Sequence, residues 1–104
     1  MQKTQFISEI AERAGVPKKQ AKQVLDAALT IIAEQLQQGE RVVLTGFGTF
    51  EVRDRRERQG VNPQTKAPMT IGATRTPGFS ASNSFKGVIR GTTSAQDLQQ
   101  ELES

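Results

Sequence analysis

The chain has 104 residues, which is enough for one domain. It contains no cysteine and no histidine, so disulfides, thiolate metal sites and a histidine general base are excluded within it. No apolar run approaches the roughly 18 residues of a membrane span, and the first residues lack the apolar segment of a signal peptide. We therefore expect a protein of the cytoplasm.

The net charge of +3 is distributed unevenly along the chain. Residues 51–75 carry six basic and three acidic side chains, and residues 76–90 add Lys86 and Arg90. Residues 91–104 carry three acidic side chains and no basic one. A basic middle segment indicates a polyanionic partner, although most charge clusters are simply solvated surfaces, so charge alone does not decide the function.

Two helices are predicted in the first 40 residues. The first spans residues 4–14, where apolar residues recur at helical spacing and Gly15 favours a helix end. Pro17 suits the first turn of a second helix over residues 18–38. Its apolar stripe consists of Ala21, Val24, Leu25, Ala28, Leu29, Ile32 and Leu36, widened by Ile31.

The apolar period changes from helical to alternating after Gly39. Residues 41–45 and 49–53 are rich in β-forming side chains, and Gly46-Phe47-Gly48 between them is typical of a turn. The two segments therefore predict a β-hairpin.

The segment 53–70 cannot bury a core, because only Val61, Ala67 and Met69 are apolar. It lies between strand-like segments and has a turn signal, Gly60-Val61-Asn62-Pro63, in its middle. We predict a two-stranded arm over about residues 53–75 that projects from the body. Isolated ribbons are marginally stable in water, so the arm should be mobile until a partner binds it.

The C-terminal third is predicted to return the chain to the body. Residues 71–76 lead from the arm back to the body, and Thr76-Pro77-Gly78-Phe79 is interpreted as a turn. A short helix follows from about Ser82 to Arg90. Residues 91–104 form a polar, acidic tail that we expect to be flexible. Within it, Ser94 to Asp97 resembles a helix cap, which favours one or two helical turns.

The arm and its surroundings also carry a family resemblance. The pattern comprises Gly46-Phe47-Gly48-Thr49-Phe50, Arg55, Glu57-Arg58, Gly60, Asn62-Pro63-Gln64-Thr65, Ile71, Ala73, Pro77 and Phe79, together with Lys3-Thr4-Gln5 and Gln20-Ala21-Lys22. It resembles the HU/IHF family of bacterial histone-like proteins, and most closely the HU branch. The resemblance covers residues 1–90 in one register without a gap, and the tail lies outside it.

The resemblance implies an α+β fold and an intertwined homodimer. A helical hairpin forms the base, a three-stranded antiparallel sheet extends into the β-arm, and a short C-terminal helix follows. The two arms of the dimer are expected to enter the DNA minor groove, where the proline at each arm tip wedges between base pairs. The expected function is non-enzymatic binding and bending of double-stranded DNA with little sequence specificity, which would compact the nucleoid.

Two sets of functional residues follow from this interpretation. DNA contacts are expected from Arg53, Arg55, Arg56, Arg58, Asn62, Pro63, Gln64, Lys66, Arg75, Lys3 and Lys86, with Pro63 as the intercalating wedge. The dimer core is expected from Leu44, Phe47, Phe50 and Phe79. No cofactor, metal, membrane or small-molecule substrate is expected.

Other interpretations compete with this one. Asn62-Pro63 alone favours a simple loop turn, and the phenylalanines alone allow base stacking. The first two helices allow a helix-turn-helix in which Lys18, Lys19 and Lys22 face a major groove, although the broad apolar stripe favours an interface. At the level of function, a sequence-preferring factor of the IHF type and a module whose arms clasp an acidic protein remain alternatives.

Three positions depart from the family pattern, which has basic residues where Val61, Ser80 and Asn83 stand here. Fewer cations release fewer counterions, so we expect either a weaker and more salt-tolerant interaction with DNA or one that relies more on Arg56 and Arg75. The acidic tail suggests a second hypothesis, that it competes with DNA for the arms or the saddle. A solvated end without a role is the alternative for the tail.

Overall fold

The structure is a computed structural model that describes residues 1–55, 58–61, 64–72 and 74–103. Its elements in chain order are α1 (Lys3–Ala14), α2 (Lys18–Gln37), β1 (Val42–Leu44), β2 (Gly48–Arg55), β3 (Arg58–Val61), β4 (Pro68–Ile71), β5 (Thr74–Ala81), α3 (Asn83–Arg90) and α4 (Ala95–Leu102). The α+β class is confirmed, and each predicted helix end lies within one residue of the observed one.

The helices α1 and α2 form the base of the molecule. Gly15 ends α1 in the left-handed conformation, with φ of 68°, and its N–H donates to the carbonyl of Ala11. The two helices bury Ile7, Ala11 and Ala21 against each other. Ala21 is 1 % exposed, because its small side chain lets the helices approach closely. The core of the single chain is therefore small and lies at this helix–helix contact.

The body sheet has three antiparallel strands in the order β1-β2-β5. β1 and β2 form the predicted hairpin, which turns through Gly46 at φ of 85° and is closed by the Phe47 N–H donating to the Leu44 carbonyl over 2.9 Å. In the pairing of β2 with β5, Phe50 lies opposite Phe79. This register brings two of the predicted core phenylalanines together across the sheet.

The turn expected at residues 76–79 is wrong. These residues lie inside β5, where Pro77 is opposite Val52 and Gly78 is opposite Glu51. Because β5 is the edge of the described sheet, a proline there removes no hydrogen bond from a further strand. The chain turns instead at Ser82, whose hydroxyl accepts from the Phe85 N–H and caps α3.

The predicted arm is present as a continuation of the β2–β5 pair into the two-stranded ribbon β3–β4. None of its described side chains is buried. The molecule is 57 Å long and has a radius of gyration of 18.8 Å, compared with about 13 Å for a compact domain of this length. The predicted turn residues Asn62 and Pro63 lie outside the described residues.

The tail contains the predicted helical turns as α4, which begins at a Ser94 hydroxyl that accepts from the Asp97 N–H. α4 contacts α3, and the connection between them covers Gly87, where a Cβ would lie 2.5 Å from the Thr93 hydroxyl. At its far end, Glu101 lies against the Gly46 turn. The flexibility expected of residues 91–104 stays a prediction.

Candidate nucleic-acid interface

The arm strand β2 presents alternate side chains to two faces of the sheet. Val52 and Pro77 line a groove together with Ala33 and Leu36 of α2, so their face is turned towards the base. Glu51, Arg53, Gly78 and Ser80 belong to the opposite face, which we call the open face. The first two predicted arm cations, Arg53 and Arg55, therefore lie on the open face.

The arm cations differ in how far their charge is already paired. Arg75 and Asp54 are opposite each other in the ladder and form an ion pair of 3.6 Å between Nε and Oδ1. Both side chains are more than half exposed, so this pair contributes little to stability and can open readily. Arg55 makes no ion pair with any residue that the structure describes, which leaves its charge available to a polyanion.

Arg53 is held within a hydrogen-bonded network on the open face. Its Nη2 lies 3.3 Å from Glu51 Oε1, 3.3 Å from Ser80 Oγ and 3.4 Å from the Phe79 carbonyl oxygen. The Ser80 hydroxyl in turn donates to Glu51 Oε1 over 3.0 Å. Ser80, a departure from the family pattern, thus joins the arginine and the carboxylate.

The end of the arm carries one cation in a strained conformation. Lys66 has φ of 56°, and it is the one described residue other than glycine with a positive φ. A left-handed conformation costs a side-chain-bearing residue roughly 1–2 kcal/mol. Lys66 is exposed, as is Gln64 two residues earlier, and Val61 at the end of β3 is 64 % exposed. The ribbon end therefore offers both a cation and an apolar side chain to a partner.

Four predicted arm contacts remain untested by this geometry. Arg56, Asn62 and Pro63 lie outside the described residues. Arg58 is described only through its backbone, which is opposite Ile71 in the ribbon. Their roles stay predictions.

The predicted contacts on the body occupy different environments. Lys3 Nζ forms an ion pair of 2.8 Å with Asp26 Oδ1, and Lys22 pairs with the same carboxylate. The hydrogen bond from Lys22, and then the one from Lys3, hold the pKa of Asp26 below its usual value. Lys86 is exposed on α3 and makes no ion pair among the described residues. The charge of Lys3 is therefore partly neutralised by a carboxylate, whereas Lys86 has no such partner among the described residues.

The predicted dimer-core phenylalanines form one aromatic cluster. Phe50 and Phe79 have ring centroids 4.8 Å apart, and Phe47 lies 5.6 Å from Phe79. Phe85 of α3 stacks on Phe47 at 4.6 Å and completes the cluster. Sequence reasoning placed Phe85 on an apolar helix face but left it out of the core, because periodicity does not show which element a face meets.

The single chain leaves much apolar surface uncovered. It exposes 8380 Å², whereas a folded monomer of this mass exposes about 5,800 Å². Leu44, predicted in the dimer core, is 40 % exposed. The other large apolar side chains of the body and tail that are exposed are Met1, Phe6, Val24, Leu29, Ile31, Val43, Ile89 and Leu102. Surface of this extent is typical of a subunit that is completed by association.

The described residues offer no sign of a metal centre or a membrane segment. They contain no group of three or more acidic side chains placed to hold a metal ion. No helix among them is long and apolar enough to cross a bilayer.

A helical base with uncovered apolar surface and a basic two-stranded ribbon defines a class of small α+β proteins built to hold a polyanion. The family model described as bacterial DNA-binding protein matches residues 1–90, and the chain belongs to this family, the HU/IHF family. The matched family is one of DNA-binding proteins, and residues 91–104 lie outside the match.

Two curated relatives illustrate the similarity. The chain is 46% identical over 90 residues to the DNA-binding protein HU-1 of Halalkalibacterium halodurans, covering 86% of this chain and 100% of the relative. It is 49% identical over 86 residues to the DNA-binding protein HU of a Nostoc species, covering 83% and 92%. The resemblance inferred from the sequence is therefore confirmed.

Solved structures agree with the fold. An Anabaena HU–DNA cocrystal structure superposes with a TM-score of 0.83 at 47% identity and covers 86% of this chain and 97% of that one. HU from Thermotoga maritima gives a TM-score of 0.61 at 29% identity and covers 86% and 98%. The predicted base, sheet and arm thus form the architecture of solved HU proteins.

Proposed function

We propose that the protein is a non-enzymatic architectural protein that binds double-stranded DNA as a homodimer and bends it with little sequence specificity. The single observation that carries the proposal is the arm, a cationic ribbon with no buried side chain among its described residues, which extends from the body of an HU-family chain. Compaction and stabilisation of the bacterial nucleoid would follow from many such contacts.

The charge and shape of the arm support minor-groove binding. Two paired strands lie about 4.8 Å apart before side chains are added, and the minor groove of B-DNA is about 6 Å wide. A ribbon with side chains on both faces requires a wider groove than that, so binding must deform the duplex. Arginines of the open face and Lys66 offset the deformation through contacts with phosphates and groove acceptors.

We assign bending to Pro63, which the sequence predicts at the tip of the arm. A proline ring is rigid and apolar, and it has no N–H that would be left unpaired between two bases. Exchanging Pro63 for alanine should reduce the bend angle more than the affinity, because the phosphate contacts remain. The angle is measured by energy transfer between dyes at the two duplex ends.

Pro68→Ala is the matched control for this experiment, because Pro68 lies in the same arm on β4, opposite Val61. It should leave the bend angle at the native value. Equal bend angles for Pro63→Ala and the native protein would contradict the wedge.

Homodimerisation is proposed because the single chain lacks a sufficient core. The uncovered side chains of α2 and the sheet, with the half-buried phenylalanine cluster, would be buried between two copies. Equilibrium sedimentation at micromolar concentration should give twice the mass of the chain. A monomer that is folded at every concentration would refute the dimer.

The DNA-binding proposal is tested by mobility shifts on intact, nicked and random-sequence duplexes across a range of salt concentrations. We expect similar affinities for unrelated sequences and a loss of binding as salt rises. A discrete footprint on genomic DNA would instead indicate a sequence-preferring factor. An acidic protein that binds in preference to duplex DNA would indicate an interaction module.

The contribution of the arm is tested by removing residues 54–74. The shortened chain keeps the base and the phenylalanine cluster, so it should still fold and associate. It should lose the ability to bend a duplex, and bending as strong as that by the full chain would overturn the proposal.

A further inference from the structure

The side chain of Arg53 lies flat on the open face of the sheet, directly above a glycine. A Cβ added at Gly78 would lie 2.3 Å from Arg53 Nε, 2.6 Å from its Cδ and 2.8 Å from its Cζ. These distances are far below van der Waals contact, so the arginine occupies the volume that any other residue at position 78 would need. The backbone of Gly78 is outside the left-handed region. Glycine is therefore favoured at this position because a side chain would lack space, and not because of the backbone conformation.

Two side chains, Glu51 and Ser80, hold the arginine in this position above Gly78. Glu51 is opposite Gly78 in the ladder, and its carboxylate accepts from Arg53 Nη2. Ser80 lies two residues beyond Gly78 on β5, accepts from the same nitrogen and donates to Glu51. We call Glu51, Gly78 and Ser80 the Arg53 site.

The Arg53 site uses only part of the donor capacity of the guanidinium. Among the described residues, all three hydrogen bonds of the guanidinium are made by Nη2, which leaves Nε and Nη1 as donors. The side chain is still 52% exposed. An arginine in this position is already ordered, is directed along the open face, and retains free N–H groups that fit a phosphate oxygen.

We propose that Glu51, Gly78 and Ser80 are positioning residues that preorganise Arg53 for contact with the DNA backbone. The inference rests on the proposed DNA-binding function. Holding a long side chain in its bound conformation avoids an ordering cost that amounts to about two- to tenfold in affinity for one side chain. The glycine is essential because it makes room for the arginine, while the carboxylate and the hydroxyl fix its direction.

The test is a double-mutant cycle of Gly78→Ala and Arg53→Ala, with affinity for a random-sequence duplex measured by fluorescence anisotropy at fixed salt. Gly78→Ala displaces the flexible arginine but leaves its charge and the ladder in place. It should weaken binding about two- to tenfold in the native background. In the Arg53→Ala background the same exchange should have no effect, because the side chain that it displaces is gone.

Gly72→Ala is the matched control. Gly72 lies in the same arm between β4 and β5, and nothing lies within 4 Å of a Cβ placed there. The same exchange should leave the affinity unchanged. A loss equal to that of Gly78→Ala would mean that the arm tolerates no added methyl group, and would overturn the assignment to Arg53.

A spectroscopic measurement separates positioning from a general effect on folding. The Arg53 Nε–H should give an ordered NMR signal in the free native protein and a motionally averaged one in Gly78→Ala. If Gly78→Ala does not fold, Ser80→Ala replaces it, because this variant removes one acceptor and adds no atom. It should loosen the Nε–H and weaken binding, again only when Arg53 is present.

The outcomes distinguish this inference from the function on which it rests. Native affinity in Gly78→Ala, together with weakened binding in Arg53→Ala, would overturn the Arg53 site and keep the DNA-binding function. Native affinity in Arg53→Ala would overturn the site as well, because Arg53 would then not contact DNA. Failure of the native protein to bind any duplex would refute the proposed function itself.

Discussion

The helical base and the β-arm use their side chains in opposite ways. In the base, Ile7, Ala11 and Ala21 are buried where α1 meets α2. In the arm, no described side chain is buried, and the strands are held by ladder hydrogen bonds and exposed ion pairs. Under the proposed function, folding stability depends on the base and DNA binding depends on the arm. Substitutions in one region should therefore leave the contribution of the other largely unchanged.

The largest effect on stability is expected in the base. Ile7→Ala removes a side chain that is 8 % exposed, and such truncations lower the free energy of unfolding by about 2–5 kcal/mol. Denaturant unfolding at fixed protein concentration measures the change. Arg55→Ala in the arm is the comparison, with an expected change within about 0.5 kcal/mol. Equal destabilisation by both exchanges would contradict the view that the base, and not the arm, determines the folding stability.

The arm should respond to charge rather than to packing. Val61 is exposed, so Val61→Arg costs no burial. If the added cation binds a phosphate, the plot of log affinity against log salt becomes steeper by about 0.9. Val61→Gln is the control, because it lengthens the side chain without adding charge. An unchanged slope and affinity in Val61→Arg would contradict the view that this position lacks a useful cation.

The tail tests whether a region outside the arm also influences DNA binding. α4 carries Asp97 and Glu101, and Glu101 lies beside the Gly46 turn at the end of the sheet. Removal of residues 92–104 should tighten DNA binding a few-fold at low salt, and the effect should fade at high salt because exposed charges are screened over about 10 Å at 0.1 M.

A triple exchange of Asp97, Glu101 and Glu103 to their amides provides the control for the tail. It keeps the helix but removes the charge, so it should reproduce the truncation if the effect is electrostatic. Unchanged affinity in both proteins would leave the tail as a solvated end.

The smallest effect is expected from acid titration of the base. The hydrogen bonds from Lys22 and Lys3 lower the pKa of Asp26 in the folded protein below the ordinary 3.8. Its contribution to stability is therefore present above that pH and lost as the pH falls through the folded-state value. NMR titration of the carboxyl carbon should show the lowered pKa, and Asp26→Asn should remove this part of the acid dependence. A carboxyl that titrates at or above 3.8 would contradict the ion pairs.

Much of the molecule could be predicted from local patterns. Helical periodicity and Gly15 predicted α1 and α2, and alternation around Gly46 predicted the hairpin, because these signals depend on residues close in sequence. The small number of apolar residues between positions 53 and 70 predicted an arm that projects from the body. The family pattern in one register then indicated DNA binding, which no single motif among these residues could have done.

The tertiary structure decided the features that depend on register between distant residues. Residues 76–79 form a strand rather than a turn because β2 offers them a pairing partner about 26 residues earlier. That same pairing places Gly78 and Ser80 beside Arg53, and the fold brings Phe85 to the phenylalanine cluster. By itself, the sequence determined the helices, the β1–β2 hairpin and the basic, core-less segment, since these properties are local. Which side chains meet was decided only by the pairing of strands and the packing of helices, since contacts between distant residues depend on the whole fold.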